Sequence, residues 1–307
     1  MILNRGLGTG LKDFLRPGDD CFVDRGFRDV KKELEDMELH VRMPPCVGGN
    51  KQFTTEEANE SRFVTKIRWA VESVHGIIKM KYRIFDHRID NKLLPKIGTM
   101  LRIACYINNL YGKRLSSDGP MYEAVLNRMK LMRGKSNTLG DEAKEKNWNR
   151  LQRIWTDVTS DSIADFPDLD EDQLKILFTG SYQLKQSVSY LAELLDDTDT
   201  MYLKYHRDQT NILKLQVQSR HCNANKYRCY IDYEPNSLQI DGIKRYYCEC
   251  KNGARTVGCC SHIATVIYFL SNARYRYRII RPAAILSDLF RHDLSVPVIA
   301  EHSDEED

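Results

Sequence analysis

Between Tyr247 and His262 the chain sets Cys248-Glu249-Cys250, then nine residues, then Cys260-Ser261-His262. Zinc takes four soft or borderline ligands in a tetrahedron. A Cys-x-Cys pair at a strand end can aim two thiolates at one point, and a Cys-x-His pair at a helix start can supply the other two ligands. The linking loop Lys251–Cys259 carries Gly253 and Gly258, which ease the turn of the backbone. The competing reading is a set of buried cysteines with an unrelated histidine, because free cysteine behaves as a small hydrophobe. Two paired spacings in this order favour one structural Zn2+ held by Cys248, Cys250, Cys260 and His262. Cys259 is the spare thiol, packed in the core or exchanging register with Cys260. Three thiolates on a divalent ion leave one negative charge, and Lys244, Arg245, Lys251 and Arg255 are close enough in sequence to balance it.

The other cysteines, Cys21, Cys46, Cys105, Cys222 and Cys229, are scattered, unlike the even spacing of a secreted disulfide framework. The N-terminal segment has no apolar signal core, and the longest apolar stretch, His262–Leu270, is too short to span a bilayer. These features predict an intracellular, soluble chain with reduced thiols and no membrane partner. A 42% hydrophobic, 29% charged composition fits a folded protein. The net charge is +3, and without the five acids of Glu301–Asp307 the body stands at +8. That charge suits a nucleic-acid partner without requiring one.

Along the chain, Asp20–Asp24 reads as a short buried strand, Arg25–Met37 as helical, and Leu39–Met43 as a second strand stopped by Pro44-Pro45. Thr54-Thr55-Glu56-Glu57 is a capping box opening a long helix with an apolar stripe of Phe63, Ile67, Ala70, Val71, Val74, Ile77 and Ile78. A second helix covers about Lys92–Tyr111. Two polar helical stretches follow in Leu115–Ser160, around a break at Gly134–Gly140. From Phe166 the chain is helical through Leu195, then shows strand-like runs at Ile212–Gln218, Tyr227–Tyr233 and Ile243–Cys250, and a helix from His262 to Asn272. The expected organisation is a partial α/β domain over residues 1–113, a helical linker over 114–165, a small α+β zinc domain over 166–290, and an acidic tail over 291–307.

The segment Tyr247–Leu270 resembles the SWIM-type zinc finger, whose pattern is Cys-x-Cys, a variable spacer and Cys-x-His. The resemblance implies a strand–strand–helix zinc unit that binds DNA or protein and performs no catalysis.

Asp24 ends an apolar strand, and Glu72 lies mid-helix among Arg68, His75 and Lys79. Carboxylates brought together can hold divalent metals for phosphoryl transfer. The plainer readings are a helix cap for Asp24 and an i,i+4 ion pair with Arg68 for Glu72. Residues Pro17–Gly112, with Val-Asp-Arg-Gly-Phe-Arg, Met-Pro-Pro, Gln-Phe-Thr-Thr-Glu-Glu and Arg-Trp-Ala-Val-Glu, resemble the later part of a DDE-superfamily endonuclease of the Harbinger transposase type. That resemblance implies a partial ribonuclease-H-like sheet, with Asp24 as the second and Glu72 as the third acid of the triad and Mg2+ or Mn2+ between them. The first acid belongs on an earlier strand. Only nineteen residues precede Asp20, and Asp13, Asp19 and Asp20 are in loop-like context. A co-opted remnant is therefore expected, nuclear, leaning away from catalysis.

Arg274-Tyr275-Arg276-Tyr277-Arg278 is either a strand that grips phosphate and stacks on bases, or a set of cations at a helix end beside packed tyrosines. No phosphate-cradling glycine loop or nucleophile elbow is present, so no small-molecule substrate is expected.

Overall fold

The computed structural model describes residues 15–46, 52–112, 119–195, 198–208, 211–219 and 225–276. Asp13, Cys222, Tyr277, Arg278, Arg281 and the acidic tail 291–307 lie outside the described residues. The chain divides into two compact units, Met1–Cys46 with Glu60–Asp118 and Val47–Asn59 with Gly119–Asp307.

In the first unit, β1 (Asp20–Phe22) and β2 (His40–Arg42) pair in parallel, with Asp20 opposite His40 and Phe22 opposite Arg42. A 3-10 turn (Arg25–Val30) and the short α1 (Lys31–Glu35) connect them. Leu34 and Leu39 are buried beneath this crossover with Cys21, Val23, Val30 and Val41 against them. The first strand stops before Asp24, because that carboxylate turns back to accept the Arg25 backbone N–H at 2.6 Å.

The long helix α2 (Thr55–Lys81) opens with the capping box its sequence announces. The Thr54 N–H donates to Glu57 Oε2 at 2.9 Å, and the Glu57 N–H donates to Thr54 Oγ1 at 3.2 Å. Its first five residues, to Asn59, belong to the second unit. The apolar stripe expected on it is only partly covered: Ile78 is buried, whereas Ile67, Val71 and Val74 are exposed. A helix of about 40 Å cannot be covered by two strands of about 10 Å. A 3-10 turn (Asn91–Leu93) leads into α3 (Leu94–Tyr111), whose Leu101, Ile103, Tyr106 and Leu110 are also exposed.

The second unit is built on a five-stranded antiparallel meander in the order β3-β4-β5-β6-β7. The strands are β3 (Trp155–Thr159), β4 (Tyr202–His206), β5 (Ile212–Gln218), β6 (Lys226–Tyr233) and β7 (Ile243–Cys248). Side chains alternate across a strand, and both faces here are buried. One face carries Leu213, Leu215, Val217, Cys229, Ile231, Tyr246 and Cys248 into a core shared with the helices that follow. Those helices are α6 (Glu171–Leu177), α7 (Tyr182–Leu194) and α8 (Ser261–Ser271), with α7 packed on α8 and α8 against β6 and β7. The other face carries Trp155, Ile212, Tyr230 and Tyr247 against Leu139, Ala143 and Trp148.

Of the stretch 114–165 that the sequence reads as a helical linker, residues 119–165 fall in this unit. Here α4 (Gly119–Arg133) packs on α6, α5 (Thr138–Glu145) packs on β7, and β3 forms the edge of the sheet. Trp148 explains the difference: it is buried in an aromatic nest, 5.8 Å from the Trp155 ring and 5.7 Å from the Tyr230 ring. Burying such a ring contributes several kcal/mol, enough to draw a polar helical segment onto the sheet.

Candidate metal centre

Cys248 is the last residue of β7, and Cys250 follows in the turn. Cys260 is the N-cap of α8 and His262 lies in its first turn. Strand end and helix start therefore converge, and the four side chains are buried, from 0% exposed for Cys248 to 6% for Cys250. Their ligand atoms all lie within 4.8 Å of one another. Zn–S bonds of about 2.3 Å and Zn–N bonds of about 2.0 Å place tetrahedral ligand atoms roughly 3.5–3.8 Å apart. The 3.8 Å from Cys248 Sγ to His262 Nδ1 meets that spacing. The donor set, three thiols and an imidazole with no exposed position, fits a closed zinc site.

The imidazole is oriented from behind. Its Nε2 is 3.4 Å from Tyr190 Oη on α7, and the Tyr227 ring of β6 packs 5.0 Å away. A hydrogen bond at one ring nitrogen directs the other at the metal. The Cys250 backbone N–H donates to Cys248 Sγ at 3.4 Å. Burial pushes the Cys248 thiol well above its usual range, and hydrogen bonding with Cys248 does the same for Cys250. Burial also opposes ionisation of Cys260, but hydrogen bonds from Cys248 and Cys250 and the His262 ring overcome it and hold that thiol well below its usual range.

Two further thiols border the site. Cys229 stands opposite Cys248 across β6 and β7, and burial raises its thiol to about 11. Cys259 is buried in the large core, and the cluster of ligand atoms contains Cys260 rather than Cys259.

Three amide side chains from distant parts of the chain clamp the loop 251–257. Gln52 Nε2 donates to Cys248 O at 2.7 Å and Cys250 O at 2.8 Å, while Gln52 Oε1 accepts from Tyr247 Oη at 3.0 Å. Asn59 Oδ1 accepts from the N–H groups of Thr256 and Val257 at 2.9 and 3.0 Å. Asn137 Nδ2 donates to Tyr246 O and Ala254 O at 3.0 and 3.1 Å. Gln52 and Asn59 carry no local sequence signal for these contacts, whose partners lie 195 to 198 residues away, whereas Asn137 also caps α5 by accepting from the Gly140 N–H.

The cations expected around the metal are committed elsewhere. Lys244 pairs with Glu234 at 3.2 Å, and Arg245 with Asp232 at 2.7 Å and Glu142 at 3.1 Å. Arg255 is buried and donates to Cys259 O. Arg274 donates to Ser160 O and Ile163 O, both at 2.9 Å, and Arg276 reaches Glu171 at 3.8 Å. The basic run beyond α8 is thus a helix-end anchor as far as it is described, rather than a phosphate-gripping strand.

In the first unit Asp24 and Glu72 meet at one cation. Arg68 Nη2 lies 3.3 Å from Asp24 Oδ2 and 3.1 Å from Glu72 Oε1. Both simpler roles are also present, the Asp24 cap and the i,i+4 pair of Glu72.

Residues 2–109 match the family model of the DDE superfamily endonuclease, about a third of the chain. No curated protein and no solved structure matches. Among the described residues no helix is long and apolar enough to cross a membrane.

Proposed function

We propose that this chain is a zinc-dependent interaction protein of Harbinger-transposase origin. Cys248, Cys250, Cys260 and His262 hold one structural Zn2+ that fastens a SWIM-type domain, proposed over 166–290 with the preceding helices and edge strand packed onto it. The buried, closed Cys3His set carries the reading. A zinc with four protein ligands and no open position contributes folding free energy, not a reaction. The ion would tie the end of β7 to the start of α8, the two elements whose packing forms the heart of the core.

On this reading the phosphate-facing charge lies in the DDE-like segment. Lys79, Arg83, Arg88, Lys92, Lys96 and Arg102 are exposed and form no ion pair with another described residue. In the zinc domain, Lys244 and Arg245, the cations just before the metal ligands, are paired with acids, which favours a protein partner there. A nuclear location accompanies this reading.

The test is metal analysis of the purified full-length chain. One zinc per chain is expected, and Cys250→Ser and His262→Ala should lose it together with the folded second unit. The expected free energy, about 10–16 kcal/mol for a structural zinc, equals or exceeds the stability of an ordinary domain. A folded, zinc-free chain would sink the proposal.

The convergence of Asp24 and Glu72 supports a second reading, a DDE nuclease using Mg2+ or Mn2+. Both acids are paired with the single cation Arg68, so the first reading stands ahead. Plasmid cleavage with Mg2+ or Mn2+ that disappears in Asp24→Ala and in Glu72→Ala would reverse that order.

A further inference from the structure

The loop that carries the metal ligands is secured by a segment nearly two hundred residues upstream. Gln52–Asn59 lies along it and meets five of its backbone polar groups. Gln52 takes the carbonyls of Cys248 and Cys250, Phe53 N–H donates to Lys251 O at 3.0 Å, and Asn59 takes the N–H groups of Thr256 and Val257. Asn59 Nδ2 also donates to Thr256 Oγ1 at 2.9 Å, and the single hydroxyl proton of Thr256 is shared between Met132 O and Lys135 O, at 2.9 and 3.0 Å. Phe53, Ala58 and Asn59 are buried, so the segment closes over the loop rather than touching it from solvent.

We propose that Gln52 and Asn59 are positioning residues of the metal centre, and that Gln52–Asn59 is a metal-linked clasp. It closes on the loop while the metal is bound and opens when the metal leaves. The inference rests on the zinc reading above. Gln52 fixes the two carbonyls that flank Glu249, and so sets the spacing of Cys248 and Cys250. Asn59 fixes the far side of the loop, four residues before Cys260. With the clasp open, these buried carbonyls and N–H groups lose their partners, a state proteins avoid. With the metal gone, the ligand turn loses the constraint that presents those groups in register. Coupling between two binding events is reciprocal: whatever the closed clasp adds to metal affinity, the metal adds to clasp closure. The same segment carries the Thr54 and Glu57 capping box, so opening the clasp also frays the start of α2.

The experiment uses the full-length, zinc-loaded protein, with a colorimetric chelator trapping released zinc. Gln52→Glu removes both donors at constant shape, and Asn59→Leu removes the acceptor. Each should release zinc about tenfold faster or more, the scale expected for losing one or two buried hydrogen bonds. Hydrogen exchange is the second readout: amides of residues 53–59 should be protected in the zinc-loaded wild type. They should exchange faster in zinc-loaded Gln52→Glu, while β3 and β4 stay protected. Wild-type release rates in both Gln52→Glu and Asn59→Leu, or equal exchange of 53–59 in zinc-loaded wild type and zinc-loaded Gln52→Glu, overturn the clasp and leave the zinc reading intact. A wild-type protein without zinc overturns both. If Asn59→Leu does not fold, Gln52→Glu, at a half-buried site, decides alone.

Discussion

A single methyl group at Gly253 tests how tightly the metal turn is built. A Cβ there would lie 2.6 Å from Cys248 C and 2.7 Å from Cys248 Cβ, and closer still to Cys248 O. Ordinary carbon contacts are about 3.5–4.0 Å, so roughly 1 Å of displacement must fall on the backbone of a metal ligand. Two hydrogen bonds hold that geometry, Cys248 N–H to Gly253 O at 3.1 Å and Gly253 N–H to Cys250 O at 2.9 Å. Overpacking costs about 1–3 kcal/mol and the strained bonds about 1 kcal/mol each, so Gly253→Ala should cost about 3–5 kcal/mol. If the loss appears in zinc binding, affinity falls about 100- to 4000-fold, at 1.4 kcal/mol per decade. If it appears in the folded state, Tm falls by roughly 10 °C. Chelator competition and a thermal melt of the zinc-loaded chain measure both. Gly134→Ala is the control, since a Cβ there meets nothing within 4 Å and should stay within about 0.5 kcal/mol of wild type. Gly253→Ala with wild-type Tm and wild-type zinc affinity would refute the argument that the turn excludes any side chain.

Lys214 is 3% exposed, donates to Trp148 O at 2.8 Å, and lies 4.9 Å from the Trp155 ring centroid. Burial lowers its amine from 10.5 to about 8, so the folded state sheds its proton first and stability rises with pH between about 8 and 10.5. Relative to Lys214→Met, the wild type should gain on the order of 3 kcal/mol across that window; parallel pH–stability curves for the two would refute it. Arg274→Gln removes an anchor to Ser160 O and Ile163 O, so denaturant unfolding should show a loss of about 1–3 kcal/mol. DNA affinity and its salt slope should stay unchanged; a slope reduced by about one would instead mark Arg274 as a phosphate contact.

The sequence by itself determined what depends on neighbours a few residues apart. Cys-x-Cys at a strand end and Cys-x-His at a helix start bring four ligand atoms together because each pair needs only its own element. The Thr54 and Glu57 box closes within one helical turn for the same reason, and the strand Ile212–Gln218 is legible from its apolar run. Strands β3 and β4 were not legible: Trp-Thr-Asp-Val-Thr and Tyr-Leu-Lys-Tyr-His are short and polar, and pair as an edge only because Trp148, Trp155 and His206 pack together. The exposed Ile67, Val71 and Val74 show the converse, an amphipathic pattern that specifies a helix without specifying what covers it. The tertiary structure alone decided the surroundings of the metal. Gln52, Asn59, Asn137 and Tyr190 reach it from remote positions, and Lys244 and Arg245, beside it in sequence, pair with their own acids instead. Hydrogen bonds act over about 3 Å in space whatever the sequence separation, so partners brought together only by chain closure leave no mark in local sequence.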